Sequence, residues 1–368
     1  MDDFDREVYC LAGLPFDALD MAGTVQRVRA AVAQRNPCFL STPNLNFLIG
    51  CQGDPAFRDS VIHSELSVAD GMPLVWMARL LGIPIRERVA GSGLFEALWQ
   101  RGGSSADPMS VYFFGGPDGV AERACQVLNE RASGLSCAGF QCPGFGTVEE
   151  MSSEDTIARI NASGADCLVV ALGARKGQAW IEHNRQRITV PVISHLGAVV
   201  NFVAGTVSRA PVWMQRTGLE WLWRIKEEPA LWKRYWKDGT ALIGLLLTRV
   251  LPYALWLRFG GGRAAGSGCS VQLTLPDDES RTAIIIVEGS VPVELPHSFR
   301  SAFREAAAQG GDVRIDLGRA EKLSPAFFGL LLMLKKHLDA KGKSLRIDEL
   351  NRPLRQLFFW NGVEYLLD

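Results

Sequence analysis

Along residues 1–208, short unbroken apolar runs alternate with stretches of helical period. The clearest runs are Cys38–Ser41, Val111–Phe114, Cys167–Leu172 and Pro191–Leu196, each followed by a Gly-containing turn or a helix start. A run without polar alternation predicts a strand covered on both faces, as in a parallel sheet. Helices between such strands make the region an α/β domain of Rossmann-like type. Ligands of open parallel sheets bind beyond the carboxyl ends of the strands, so the loops after these runs are where chemistry is expected.

The pattern changes at Arg209. Residues 209–263 hold ten Lys or Arg against four Asp or Glu, a net charge near +6, and six tryptophans: Trp213, Trp221, Trp223, Trp232, Trp236 and Trp256. The apolar run Thr240–Phe259 is about as long as a bilayer span, but Arg249 and Pro252 interrupt it. Arg is costly in lipid and Pro removes a helical hydrogen bond. The segment therefore reads as interfacial, with apolar and Trp side chains at the headgroup boundary and cations attracted to anionic lipid. A packing helix and a true span are the alternatives. Gly260–Gly268 has the composition of a flexible linker.

Beyond the linker the α/β pattern restarts. Strands are predicted at Val271–Leu275, Ala283–Val287, Val313–Leu317 and Leu345–Asp348, and helices at Ser298–Ala308, Pro325–Ala340 and Pro353–Phe359. The expected division is thus an α/β domain over 1–208, a Trp-rich basic appendage over 209–262, a linker over 263–269 and a small α/β domain over 270–368.

Composition narrows the class. The chain has 368 residues, 47% hydrophobic and 21% charged, which fits a globular protein with more than one core. A net charge of -1 argues against a general nucleic-acid binder. The eight cysteines form no CxxC pair, and Cys38 and Cys167 lie in apolar runs. They are expected to be thiols in a reducing compartment. The N-terminus, Met1-Asp2-Asp3-Phe4-Asp5, is acidic and has no apolar h-region, so a cytoplasmic location is expected.

Three clusters carry candidate chemistry. Ser41-Thr42-Pro43-Asn44-Leu45-Asn46 follows a strand and either hydrogen-bonds a ligand or caps the next helix. Val68-Ala69-Asp70-Gly71-Met72-Pro73 sets a carboxylate beside an open backbone, suited to a general base or to an Asx turn. Arg86-Glu87-Arg88-Val89-Ala90-Gly91-Ser92-Gly93 leads into a helix and can hold phosphate through charge and helix amides, or can be a solvated loop. Phe114-Gly115-Gly116-Pro117-Asp118 is a strand and Gly-rich turn, but neither a Walker loop nor GxGxxG. The catalytic region has no DxD-type acidic pair for a metal-bridged diphosphate, so metal-independent chemistry without a cofactor is expected.

Taken together, Thr42-Pro43-Asn44, Ala69-Asp70-Gly71-Met72-Pro73, Arg88-Val89-Ala90-Gly91, Phe114-Gly115-Gly116, Gly205-Thr206-Val207-Ser208-Arg209-Ala210-Pro211, Gly218-Leu219-Glu220-Trp221-Leu222-Trp223-Arg224 and Glu228-Pro229 resemble the WecG/TagA/CpsF glycosyltransferases over residues 8–238. The resemblance implies an inverting transferase moving a sugar from a UDP-sugar to a polyprenyl-diphosphate-linked saccharide, in exopolysaccharide or cell-envelope glycan assembly. It would act peripherally at the cytoplasmic face of the inner membrane, on an anionic surface. It implies Asp70 as general base, Thr42 and Asn44 near the reaction centre, and Arg88 on the diphosphate leaving group. Gly91, Gly115, Gly116, Gly173, Lys176, Gln178 and His195 would meet the donor. Arg209, Arg216, Trp221, Arg224, Trp232 and Arg234 would serve membrane or acceptor contact. Where the family carries Gly-x-Pro-Lys-Gln-Glu, this chain reads Gly173-Ala174-Arg175-Lys176-Gly177-Gln178. With Ser194-His195-Leu196-Gly197, this resembles the exopolysaccharide branch typified by the xanthan glucosyltransferase and makes a plain hexose donor plausible. His195 otherwise reads as a hydrogen-bonded structural histidine.

The β-β-α-β-α-β-α order after Gly268 resembles a STAS domain, through Val313–Gly318, Leu323–Leu332 and Gly342–Ile347. Regulatory members carry Asp-Ser before the second helix, where this chain has Ser324-Pro325. A constitutive docking module for a protein partner is therefore expected rather than a phospho-switch, with simple stabilisation or dimerisation as the blander role. A degenerate transferase serving as a membrane scaffold through this module is the alternative function.

Overall fold

The computed structural model describes residues 2–100, 108–130, 134–259, 268–276 and 282–367, without the side chains of Val212 and Arg216. Most of the expected 263–269 linker lies outside the described residues. An antiparallel hairpin opens the chain, β1 (Val8–Leu11) and β2 (Leu14–Asp17). Six strands follow: β3 (Cys38–Ser41), β4 (Leu66–Ser67), β5 (Met109–Gly115), β6 (Leu135–Gln141), β7 (Cys167–Ala171) and β8 (Val192–His195). They form one parallel sheet in the order β4-β3-β8-β7-β5-β6. Four more, β9 (Ser270–Thr274), β10 (Thr282–Ser290), β11 (Asp312–Lys322) and β12 (Leu345–Asp348), form a second sheet in the order β12-β11-β10-β9. Only β9 runs antiparallel there.

The apolar runs became the central strands because both sheet faces are covered. Phe113, Phe114, Leu168, Val169 and Val170 are wholly buried, and Phe114 stacks on Trp180 with ring centroids 4.4 Å apart. One face packs on helices Gly91–Gln100, Val120–Glu130 and Gly197–Ala204, the other on Glu154–Ala162 and Ala174–Asn184. The sulfurs of Cys125 and Cys137 meet within this fold, with Cα atoms 5.1 Å apart, inside the reach of a disulfide. The thiol-only expectation missed this because a helix and the strand after it, not sequence spacing, bring the two together.

The contacts group into two compact units. One holds residues 19–75 and 87–239, including the six-stranded sheet; the other holds residues up to 18, 76–86 and 240–368. This grouping is not the division expected along the chain. In the second unit helix Pro325–Ala340 is buried over most of its length, against the N-terminal hairpin and helix His297–Ala308. At Gly329 a Cβ would collide with the carbonyl of Val8, so the glycine lets strand and helix backbones touch. Arg6, wholly buried, gives a bidentate pair to Asp17 at 2.8 and 3.1 Å and a further bond to Asp3 at 2.6 Å. Lys336 reaches the same Asp3 at 3.0 Å.

The appendage continues into a helical run, Pro229–Phe259, whose 31 residues are long and apolar enough to cross a membrane. Neither Arg249 nor Pro252 interrupts it. A π turn at Leu246–Val250 precedes Pro252 and re-pairs the carbonyls that the missing N–H would strand. Arg249 is neutralised by Glu364 at 2.6 Å and donates to the Phe359 carbonyl at 2.6 Å. Tyr253 is buried, donates to the Leu323 carbonyl at 3.3 Å and stacks with Trp256 and Trp360. Trp256 is thus held by other rings. Trp232, Trp236, Ile243, Leu247, Leu255 and Phe259 remain exposed along the same helix.

Candidate active site

Three loops beyond the carboxyl ends of β3 and β4 are joined by backbone hydrogen bonds. Val68 donates to the Ser41 carbonyl at 3.0 Å, Asp70 to Pro43 at 2.9 Å and Val89 to Ala69 at 2.9 Å. These bonds bring Thr42, Asp70 and Arg88 together although 46 positions separate the first from the last. Asp70 lies 3.5 Å from Arg88, and its side chain keeps 26% of its surface open. Burial raises the Asp70 pKa above the ordinary carboxylate value; Arg88 and Arg224 pull it down, while Glu220 pushes it further up. Such a carboxyl keeps its proton to higher pH than an ordinary carboxylate.

Thr42 is buried beside Gly91, where an added Cβ would come within 3.3 Å of its hydroxyl and 2.5 Å of Leu196. Asn44 caps helix Leu45–Gln52, accepting from the Phe47 amide at 3.2 Å. Both readings of that loop therefore hold in part: Asn44 is a cap, and it sits in the same loop as Thr42. The next residue but one, Asn46, donates to Asp238 at 3.2 Å.

The donor candidates divide. Gly115 and Gly116 end β5, with φ of 97° and 91°, and a Cβ on Gly115 would lie 2.7 Å from the Ala171 carbonyl. Gly173 opens helix Ala174–Asn184 with φ 82°. Gln178, on that helix, is wholly buried; its amide nitrogen donates to Ser41 at 3.0 Å, and Ser41 shares a 2.6 Å bond with Ser64. The Gln178 amide oxygen has no partner among the described residues. His195 ends β8 against Gly177, where any Cβ would strike the ring. Its Nε2 is likewise buried and unpartnered among the described residues, and burial pushes its pKa down to about 4. This corrects the reading of a hydrogen-bonded structural histidine at that nitrogen. Lys176 instead turns to the Gly146 carbonyl at 2.9 Å, in an exposed setting.

In the appendage, Arg209 pairs with Glu96 and lies over Phe202, as does Arg224, at 5.9 and 5.7 Å. Trp221 and Trp232 are exposed, and Arg234 sits 5.3 Å over Tyr235. The Arg216 side chain lies outside the described residues. Sequence reasoning quoted Glu220 within Gly218-Leu219-Glu220-Trp221 but gave it no role; it binds Arg88 at 2.5 Å.

The sequence profile of the glycosyl transferase WecG/TagA/CpsF family matches residues 9–254. The chain belongs to this family. A second profile, described as Mlab, STAS domain, matches residues 274–368, so a STAS domain follows the transferase region. The family region begins in the hairpin and ends in helix Leu251–Phe259, and both of those ends lie in the compact unit that holds the STAS domain. Among curated relatives, the N-acetylglucosaminyldiphosphoundecaprenol N-acetyl-beta-D-mannosaminyltransferase of Bacillus spizizenii (strain ATCC 23059 / NRRL B-14472 / W23) is 26% identical over 201 residues, covering 55% of this chain and 76% of its own. A crystal structure of SsGBP with GDP overlaps 69% of this chain and 87% of that one at 10% identity, with a TM-score of 0.21, and a mutation variant of SsGBP aligns with the same score. Those likenesses are too slight to bear on fold or function.

Proposed function

We propose that this protein is an inverting glycosyltransferase that moves a sugar from a UDP-sugar to a polyprenyl-diphosphate-linked saccharide in exopolysaccharide or envelope glycan assembly. The observation that supports it most is the approach of Asp70 and Arg88 to 3.5 Å beyond the strand ends, within the region that the family profile matches. A relative named for transfer to a diphosphoundecaprenol-linked sugar supports the acceptor class.

In this reading Asp70 takes the proton from the acceptor hydroxyl as its oxygen attacks the anomeric carbon. The bond to the UDP oxygen breaks on the opposite face, which inverts the centre. Arg88 meets the charge that develops on the diphosphate, the kind of electrostatic help that often dominates catalysis. Thr42 lies beside the reacting groups. Gln178 and His195 offer an amide oxygen and a ring nitrogen to the donor, and Gly115 and Gly116 admit its backbone-contacting portion. The Lys176 contact with Gly146 would have to break before that lysine could reach a phosphate.

The exposed Trp232, Trp236, Ile243, Leu247 and Phe259 suit a headgroup boundary, with Arg234 among the nearby cations. That supports a peripheral place on an anionic surface at the cytoplasmic face. The STAS domain is read as a constitutive module: Ser324 is buried, caps its helix and donates to the Pro292 carbonyl at 2.6 Å, leaving its hydroxyl no room for phosphate.

The test is UDP release from a panel of UDP-hexoses and UDP-N-acetylhexosamines, with and without a polyprenyl-diphosphate-linked acceptor. Acceptor-dependent release from one donor is expected. No release from any donor would favour the scaffold function.

A further inference from the structure

Arg88 is held from two sides by carboxylates from different segments. Asp70, from the loop after β4, faces its Nε at 3.5 Å; Glu220, from appendage helix Glu220–Glu227, takes its Nη2 at 2.5 Å. Both partners of that second bond are mostly buried, with 14% and 17% of their side-chain surfaces open. A guanidinium has five N–H donors in one plane, so fixing Nε and Nη2 fixes where the rest point. Among the described residues Nη1 has no partner. A second appendage carboxylate, Asp238, holds Asn46 in the first turn of helix Leu45–Gln52, directly after the loop that carries Thr42. The appendage thus reaches one site loop and the helix that follows another through carboxylates.

We propose that Glu220 is a positioning residue for sugar transfer: it clamps Arg88 against Asp70 with Nη1 left for the donor diphosphate. This rests on the proposed roles of Asp70 and Arg88. It makes an intact appendage a condition for a competent site and not only a means of reaching the membrane. The opposite arrangement, in which Glu220 blocks Arg88 until the diphosphate displaces it, would use the same contact with the opposite sign.

Glu220→Gln keeps the shape and removes the charge. The charged groups that face Asp70 are Arg88, Glu220 and Arg224. Removing the Glu220 charge takes away a repulsion and lets Asp70 ionise more readily. The acidic limb of kcat/KM should move to lower pH, kcat/KM should fall by about 10- to 100-fold through misplacement of the guanidinium, and UDP should bind more weakly. Glu220→Asp keeps the charge on a shorter reach; its rate should fall while the acidic limb stays near the wild-type position. That second variant carries the test if the first fails to fold. All measurements use the full chain, UDP in titration calorimetry and the donor of the panel that releases UDP fastest. Wild-type kcat/KM with an unmoved limb in Glu220→Gln overturns the proposal, and so does tighter UDP binding with faster turnover, the outcome of a blocking role. Asp70→Asn is assayed beside it. Full activity there removes the underlying reading; an inactive Asp70→Asn with an unaffected Glu220→Gln removes the positioning role alone.

Discussion

Both α/β units close most of their buried polar side chains within the chain, and they differ in where unpartnered atoms cluster. In the unit with the STAS domain the fully buried polar residues are closed by the chain itself: Arg6 by Asp17 and Asp3, Lys336 by Asp3, Ser324 by the Pro292 carbonyl, Asn361 by the Leu357 carbonyl. In the unit with the six-stranded sheet, Gln178 in the helix after β7 and His195 at the end of β8 hold buried atoms without partners among the described residues, and Asp70 in the loop after β4 carries a raised pKa; in the STAS unit His337 Nε2 is a buried atom of the same kind. Unpartnered buried polar atoms are costly, and a bound ligand or ordered water is one way of completing them.

Several substitutions break or sharpen that contrast. The largest effect is expected at Arg6. Arg6→Met removes the guanidinium paired with buried Asp17 and leaves Asp3 with Lys336, and should destabilise by about 3–5 kcal/mol, read as a lower urea midpoint. A loss under about 1 kcal/mol would mean that the hairpin does not depend on this pair. Next is the pH dependence of His195, whose folded pKa is depressed to about 4 from the ordinary 6.5. Its contribution is full above pH 6.5 and is lost as pH falls through that value toward 4, because the unfolded chain takes up the proton first. The loss should reach at most about 3 kcal/mol and vanish in His195→Phe, as followed by thermal unfolding across that window. Gln178→Leu comes last on stability. It removes one bond to Ser41 and also an unpartnered oxygen, so a change of about 1 kcal/mol or less is expected. Donor binding should nevertheless weaken, measured as UDP-sugar affinity; an unchanged affinity would return Gln178 to the structural class.

Much of the fold was legible because it is local. Helix Pro325–Ala340 and strand Leu345–Asp348 fall at the expected residues, with Pro at the first helical position and Ser324 as cap. Unbroken apolar runs foretold the parallel sheet. What escaped the sequence is long-range pairing. No periodicity links Val8 to Gly329, Arg249 to Glu364 or Cys125 to Cys137. Arg249 read as an obstacle to an apolar helix only because its neutralising partner lies 115 positions away. At the site, motif positions pointed to Asp70 and Arg88, which the fold brings to 3.5 Å, whereas Glu220 was hidden in a tryptophan-rich stretch that drew attention to lipid.

The most direct measurement is acceptor-dependent UDP release by wild-type protein and Asp70→Asn, with UDP binding measured on both. Transfer driven by the carboxylate at position 70 predicts that the variant binds UDP much as wild type does and turns over at a rate near background. Equal release by the two proteins would contradict it.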